Sequence, residues 1–586
     1  MNFMRLTTLL LAALLSLAAC GKSEESSTSA AVDADLKLLA YVPADTPYLA
    51  ASLEPIPADV IDSYLARMQP VIDMLQADLS TARAELESTD AAASENPEAK
   101  MMSALLDEFD GNLSRSGLAG LGIDLGSNKV AYGLGAFPVM RVGLSNAEAL
   151  RETILRILRN AEISAPEQNY QGVAFWRLAD DDPADVPMGL YVSIMEDHLA
   201  IGLLPTTAED ELLPLFLGLE MPASNDAGER LVKLNRTHGY TSHGSGILEL
   251  HALADQFLRP ENLAARMMAA SGEYDPASMT QECVSEIHGI IDNTPRMTMG
   301  VKELSTTAVA MQYRVETPSS LAGSLADLVA RIPAANKLSN RLMDLAFGLK
   351  FGAARDFVRE KVLAITEQPY QCGHLQNLNV SAIQALEKLN QPLPPFVNNF
   401  RGVRISLNEI MMSQDAIPEN ARGHLAVHVE QPQMFVGMAQ MFLPDLAELA
   451  LQPGSPPVRL PESLIEVPGI VAYAAMSEEA IGLAVGEGEE AGLPDYLNQE
   501  PADDGTFFSA SYDMAAYVQY SNMLKNNPVS GDSLNYEGES EIQDHTNKYA
   551  EAMATAYKEM GGRSYVSMGF GADGLVIENR ATFKPQ

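Results

Sequence analysis

The sequence predicts an α+β chain of two tandem repeats, each a helical lead-in followed by a mainly antiparallel sheet with helices on one face. Three observations predict it. Apolar residues recur at helical spacing early in the chain, and from Val130 onward the period shifts to two. Strand-like segments meet at tight polar turns, Glu196-Asp197 and Ala572-Asp573-Gly574, which favours hairpins over parallel crossovers. Short motifs of the first half also return in the same order in the second, as a duplication requires.

The chain has 586 residues, 78 acidic and 39 basic, for a net charge of −39. Such a surface repels phosphate backbones and anionic headgroups, which argues against nucleic acid as a partner. The order of segments begins with Arg5, an apolar run from Leu6 to Leu17, and then Ala18-Ala19-Cys20. This run resembles a bacterial lipoprotein signal. The resemblance implies that residues 1–19 are a signal peptide, that Cys20 carries the lipid (diacylglyceryl and palmitate), and that the membrane is reached through that anchor. Gly21 stands where Asp would favour the inner membrane, so the resemblance implies an outer-membrane protein facing the periplasm. Removing 1–19 takes away one base, so the remaining charge is −39 − 1 = −40. Residues 20–35 are small and polar and read as a flexible tether.

Residues 36–320 form the expected first repeat. Val60, Tyr64, Val71, Leu75 and Leu79 mark helix, broken or kinked by Pro70, and Ser94–Ala99 with Pro97 reads as a loop. Ser145 with Glu148 reads as a capping box after a strand. Residues 321–586 form the second repeat. Ala200-Ile201-Gly202-Leu203 returns as Ala480-Ile481-Gly482-Leu483, and Leu213-Pro214 as Leu493-Pro494. Residues 246–253 and 509–516 each read as a strand running into a helix, and helices near 279–291 and 545–560 precede terminal hairpins at 297–317 and 566–584. Leu338, Leu342, Leu345 and Leu349 predict a helix over 337–366, with another over 380–390, matching 58–110 of the first repeat. Val42-Pro43-Ala44-Asp45-Thr46-Pro47 is similar to the opening of a family of bacterial exported proteins of unknown function with repeated strand-rich units. That resemblance implies no activity.

Cys283 and Cys372 are the two cysteines left after Cys20, and an oxidising periplasm favours a disulfide between them. Cys283 lies on a helical apolar face and Cys372 in a loop, so the bond is expected to cross the repeat boundary. The rival, a metal site at Cys372 and His374, lacks further ligands nearby. His238, His243 and His251 match no ligand spacing, and His424 and His428 are expected as surface histidines too far apart for one ion. Asp180, Asp181, Asp182 and Asp185 lack the glycine and closing Glu of a standard calcium loop. Gly143-Leu144-Ser145-Asn146-Ala147 departs from the hydrolase elbow at its last position. Phosphate-binding glycine loops, HExxH and CxxC are missing from the sequence, so no cofactor and no catalytic residue is assigned. The sequence therefore predicts a non-enzymatic envelope lipoprotein that binds or scaffolds another envelope component. The alternatives are a carrier of a hydrophobic ligand in a cleft between the repeats, and a hydrolase with an unrecognised site. The 28 methionines and the single Trp176 fit adaptable surfaces and core filling alike.

Overall fold

A computed structural model describes residues 37–74, 97–162, 166–179, 188–272, 275, 278–335, 340–412, 418–441, 446, 449–465, 470–502, 505–518 and 551–585. The chain divides into two compact units. Unit 1 draws on Met1–Ala277, Pro295–Gln312 and Phe583–Gln586, and unit 2 on Ser278–Thr294 and Tyr313–Thr582. Both are α+β, and every strand pairing with a defined register is antiparallel.

In unit 1 the strands are β1 (Tyr48–Ala51), β2 (Lys129–Leu134), β3 (Phe137–Gly143), β4 (Gln168–Tyr170), β5 (Val173–Ala179), β6 (Met188–Ile194), β7 (His198–Pro205), β8 (Ser245–Glu249) and β9 (Arg296–Ser305), and β9 leads into β10 (Ala308–Glu316). They lie in the order β5-β6-β7-β3-β2-β1-β8-β9, with β4 in a short hairpin with β5. The covered face of this sheet is largely apolar, with Arg141 and His198 buried in it. Helices Glu209–Phe216 and Ala227–His238 lay Leu212, Leu213, Phe216, Leu231 and Leu234 on Tyr132, Val139, Tyr191 and Leu204.

In unit 2 the strands are β11 (Met343–Gly348), β12 (Phe400–Met412), β13 (Pro418–Val429), β14 (Val458–Arg459), β15 (Ala472–Met476), β16 (Ala480–Val485), β17 (Thr506–Asp513), β18 (Arg563–Gly571) and β19 (Gly574–Thr582). Their order is β14-β15-β16-β13-β12-β11-β17-β18-β19. Its core is built from small residues. Ala426, Ala475, Ala480 and Ala484 pack under Leu493, Tyr496 and Leu497 of the short helix Leu493–Leu497. The helix comes so close that a Cβ at Gly482 would sit 2.6 Å from the Leu497 side chain.

Several local expectations change. Helix Ala58–Arg67 breaks at Met68, just ahead of Pro70, as its proline requires. Pro97, Glu98 and Ala99, expected in a loop, belong to helix Pro97–Phe109, and the rest of the expected loop lies outside the described residues. Asn146, and not Ser145, caps helix Ala147–Asn160, its Oδ1 accepting the Ala149 N–H at 3.0 Å. The helix expected over 337–366 is instead strand β11 followed by helix Phe351–Glu367. Leu342, Leu345 and Leu349 had a helical spacing, but β11 alternates with Asp344, Ala346 and Gly348 inward.

Candidate functional site

The strands of unit 2 carry their hydrophobic pattern on the less covered side. On β12 the buried positions are Gly402, Arg404 and Ser406, while Val403, Ile405 and Leu407 are only half-buried. The same inversion holds on β11, on β13 with His424, Ala426 and His428 buried, and on β16 with Ala480, Gly482 and Ala484 buried. Register then aligns the large side chains across the sheet. Ile481, Val427, Val403, Phe347, Phe508, Met568 and Ile577 stand directly opposite one another from β16 to β19, and none is fully buried. Leu483, Leu425, Ile405 and Leu345 form a second row beside them. Unit 1 has a similar face, where Leu203, Met297 and Met299 are 37%, 39% and 37% exposed. Its β5 edge is covered: Trp176 is buried there, with the Arg151 guanidinium 5.6 Å from the ring centroid.

The covered face of unit 2 holds the polar groups. Arg404 donates through Nε and Nη2 to Asp344 Oδ1 and Oδ2 at 3.3 and 3.1 Å, with side-chain exposures of 3% and 1%. A third donor reaches Gln499 Oε1, and the guanidinium carbon lies 4.6 Å from the Tyr496 ring centroid. One row along, His424, Ser406, Asp344 and Ser511 face each other across β13, β12, β11 and β17. His424 Nε2 donates to the Glu489 carbonyl at 2.8 Å, and Arg341 donates to Ser406 Oγ. Among the described residues His424 Nδ1, His428 Nε2 and Ser511 Oγ have no hydrogen-bond partner. Burial, aided by the Arg404 charge, pushes the His428 pKa down to about 4. Burial also lowers that of His424 and raises that of the Tyr496 phenol. The two histidines are thus core residues and not surface ones, since each occupies an inward position of β13. This cluster lies under Tyr496 of the short helix, and its chemistry is that of a polar core.

A separate cleft of about 640 Å³ opens at the end of the sheet in unit 2. Its lining includes Ala326, Asp327, Arg331, Lys350, Gly505 and Phe570. Lys350 Nζ donates to the Asp327 carbonyl at 2.8 Å. Gly505 has φ +73°, and a Cβ there would lie 2.5 Å from the Phe570 carbonyl oxygen, so only glycine lets the chain pass so close to β18.

Of the residues singled out in the sequence, Cys20 and Asp180, Asp181, Asp182 and Asp185 lie outside the described residues. Cys283 and Cys372 are at disulfide distance, with Sγ atoms 2.12 Å and Cα atoms 4.6 Å apart. Both belong to unit 2, because helix Gln281–Ile291 counts with that unit; the bond staples one unit internally. Among the described residues no group of His, Cys, Asp and Glu is arranged to hold a metal ion, and no helix is long and apolar enough to cross a membrane. Asp344, Arg404, Arg331 and Lys350 went unnoticed in the sequence. The legible signal was Arg404 itself, a charge flanked by Val403 and Ile405 inside a strand, which reads as solvent-facing until burial is known. Compared with known proteins, the chain matches no family model, no curated sequence and no solved structure.

Proposed function

We propose that this chain is a non-enzymatic, lipid-anchored envelope protein that carries an apolar molecule on the less covered sheet face of unit 2. The observation that carries the reading is the row of seven large apolar side chains from Ile481 to Ile577, none fully buried. Six strand gaps of ~4.8 Å give a strip about 29 Å wide. A sheet built only for stability would turn those side chains under its helix. Here Asp344 and Arg404 take that place, although burying an ion pair carries a desolvation cost of several kcal/mol per ion. Each 100 Å² of apolar ligand surface withdrawn from water on this face would contribute about 2.5 kcal/mol. The carrier reading thus takes precedence over the scaffold expected from the sequence. It also differs from a site between repeats, since the face belongs to one unit.

Two further parts belong to the proposal. The anchor is the lipid on Cys20, placing the protein at the outer membrane facing the periplasm; Leu17-Ala18-Ala19-Cys20 supports it. The architecture is a duplication, supported by the strand orders β6-β7-β3-β2-β1-β8-β9 and β15-β16-β13-β12-β11-β17-β18. Aligning Ala200–Leu203 with Ala480–Leu483 pairs Arg404 with Tyr132, His428 with Arg141, Ser406 with Leu134 and His424 with Phe137. Fatty-acid labelling tests the anchor: wild type takes label and Cys20→Ala takes none, and an unlabelled wild type ends it. For the carrier, a Cys20→Ser protein purified from the periplasm should yield an acyl lipid to solvent extraction and mass spectrometry. Val403→Asp with Ile405→Asp should lose it. A wild-type protein that neither retains nor binds any apolar compound would refute the function.

A further inference from the structure

On the less covered face of unit 2 the two apolar rows are ridges, and the furrow between them has a direction. Residues two apart on one strand stand ~6.8 Å apart on the same face, whereas neighbouring strands lie only ~4.8 Å apart. Side chains therefore close up across the sheet and stay separated along each strand, so the furrow crosses the strands. One ridge is the row from Ile481 to Ile577. The other is Leu483, Leu425, Ile405, Leu345, Ala510 and Val566, in direct register from β16 to β18. Both ridges are apolar on all of these strands, across five gaps or about 24 Å. The two ends differ. On β15 the rows reach Met476 and Ala474, each 2% exposed, where Pro453 bridges Met476 and Val458 pairs with Ala474. On β19 the second row changes to Asn579, which is exposed. The furrow thus ends on buried apolar residues at one side and on an exposed amide at the other.

We propose that the ligand of this unit is a single unbranched hydrocarbon chain, lying across the strands between the two rows with its methyl end at β15 and its polar end at Asn579. The inference rests on the carrier reading and adds which apolar molecule is taken and how it lies. Sheet twist decides between ligand shapes. Adjacent strands turn by roughly 20–25°, so a furrow over five gaps winds through roughly 100–125°. A flexible chain follows that winding and keeps its contacts. A rigid fused-ring molecule of equal apolar area touches the furrow over only part of its length. Ordering the chain costs rotational freedom that a ring system never had, so the summed contacts along the furrow have to exceed that cost.

The test uses the full chain carrying Cys20→Ser with two probes, hexadecan-1-ol and the fused-ring alcohol cholestanol, both delivered from cyclodextrin. Hexadecan-1-ol is expected to bind at least tenfold more tightly. Phe347→Ala with Leu345→Ala takes one side chain from each ridge at mid-furrow and should abolish that preference. A second readout needs no substitution. Hexadecan-1-ol carrying a photoreactive diazirine near its methyl end should cross-link to β15 and β16 and not to β18 and β19. Equal affinity for the two alcohols, a preference unchanged by the double substitution, or cross-links on β18 and β19 or spread along the strip overturns the furrow and leaves the carrier standing. If neither alcohol binds, the carrier reading falls and this inference with it; a dimer in light scattering would then put a second copy of the chain on the face.

Discussion

Arg141 and Arg404 bury a guanidinium in two different ways. Among the described residues no carboxylate bonds Arg141. Its Nε donates to the Tyr132 hydroxyl at 3.0 Å and Nη2 to the Phe216 carbonyl at 2.7 Å, at the C-terminal end of helix Glu209–Phe216, while the Tyr41 ring centroid lies 3.8 Å from Cζ. The unsatisfied carbonyls of that helix end supply the negative partial charge. Nη1 meets His198 Nε2 at 2.8 Å. A guanidinium only donates, so Nε2 accepts and the proton sits on Nδ1, which donates to Asp197 Oδ1 at 2.7 Å. Burial and then the Arg141 charge lower the His198 pKa, against the pull of Asp197, and keep the ring neutral. Arg404 is paired with Asp344 instead, and removing Asp344 leaves a buried guanidinium charge without its carboxylate. Asp344→Ala should cost about 3–5 kcal/mol in urea unfolding, whereas Asp344→Leu with Arg404→Met should cost much less or nothing. A single substitution as mild as the double one would show the pair to be unimportant. The histidines add a pH dependence. Unfolded His428 takes a proton near pH 6.5, but the folded protein refuses it until about pH 4. Stability should therefore be unaffected above pH 6.5 and fall between 6.5 and 4, by about 3 kcal/mol for this residue. His428→Asn should flatten that slope in unfolding curves measured across the range; an unchanged slope would mean His428 is not its source.

At the scale of elements, hairpins and strand-to-helix junctions were legible because turns and helix starts are local chemistry. Strand β8 and helix Leu250–Leu258, the hairpin Met188–Pro205 and the closing hairpin Arg563–Thr582 all fall where alternation and turn residues put them. Strand β11 was not legible. Its inward residues Asp344, Ala346 and Gly348 carry no hydrophobic signal, and its outward leucine joins a chance helical spacing. The candidate site was hidden for the same reason: alternation gives the period of a strand but not which face is covered. The disulfide pairing was legible, its place in the fold was not, since helix Gln281–Ile291 packs away from the residues just before it in sequence. The bond does not act alone. The Glu286 carboxylate accepts the N–H groups of Gln371 and Cys372 at 2.8 and 2.9 Å, and Asn379 clasps both the N–H and the C=O of Tyr370. Closing 89 residues is worth about 4–5 kcal/mol in the chain-entropy treatment. Reduction, or Cys283→Ser, should lower the unfolding midpoint of unit 2 and leave that of unit 1 in place in a calorimetric scan. A shift shared equally by both transitions would contradict an internal staple.

For the whole molecule, the two units exchange pieces of chain across the repeat boundary expected near residue 320. Unit 2 takes Ser278–Thr294 from before that boundary, and unit 1 takes back Phe583–Gln586 from after it. Phe583 is integral to unit 1. Its N–H bonds the Thr307 carbonyl at 2.8 Å, Tyr64 packs edge-on at 5.7 Å, and the Arg67 guanidinium lies 5.5 Å from its ring. The consequence is one of timing. A chain that leaves the ribosome N-terminus first usually completes its first domain before its second. Here the ring that seats Tyr64 and Arg67 arrives only with residue 583, so unit 1 waits, with that seat open, until nearly all of unit 2 has emerged. The first unit to begin folding is then not the first to finish, and a fragment ending at residue 320 contains every strand of the unit 1 sheet yet lacks the piece that closes it.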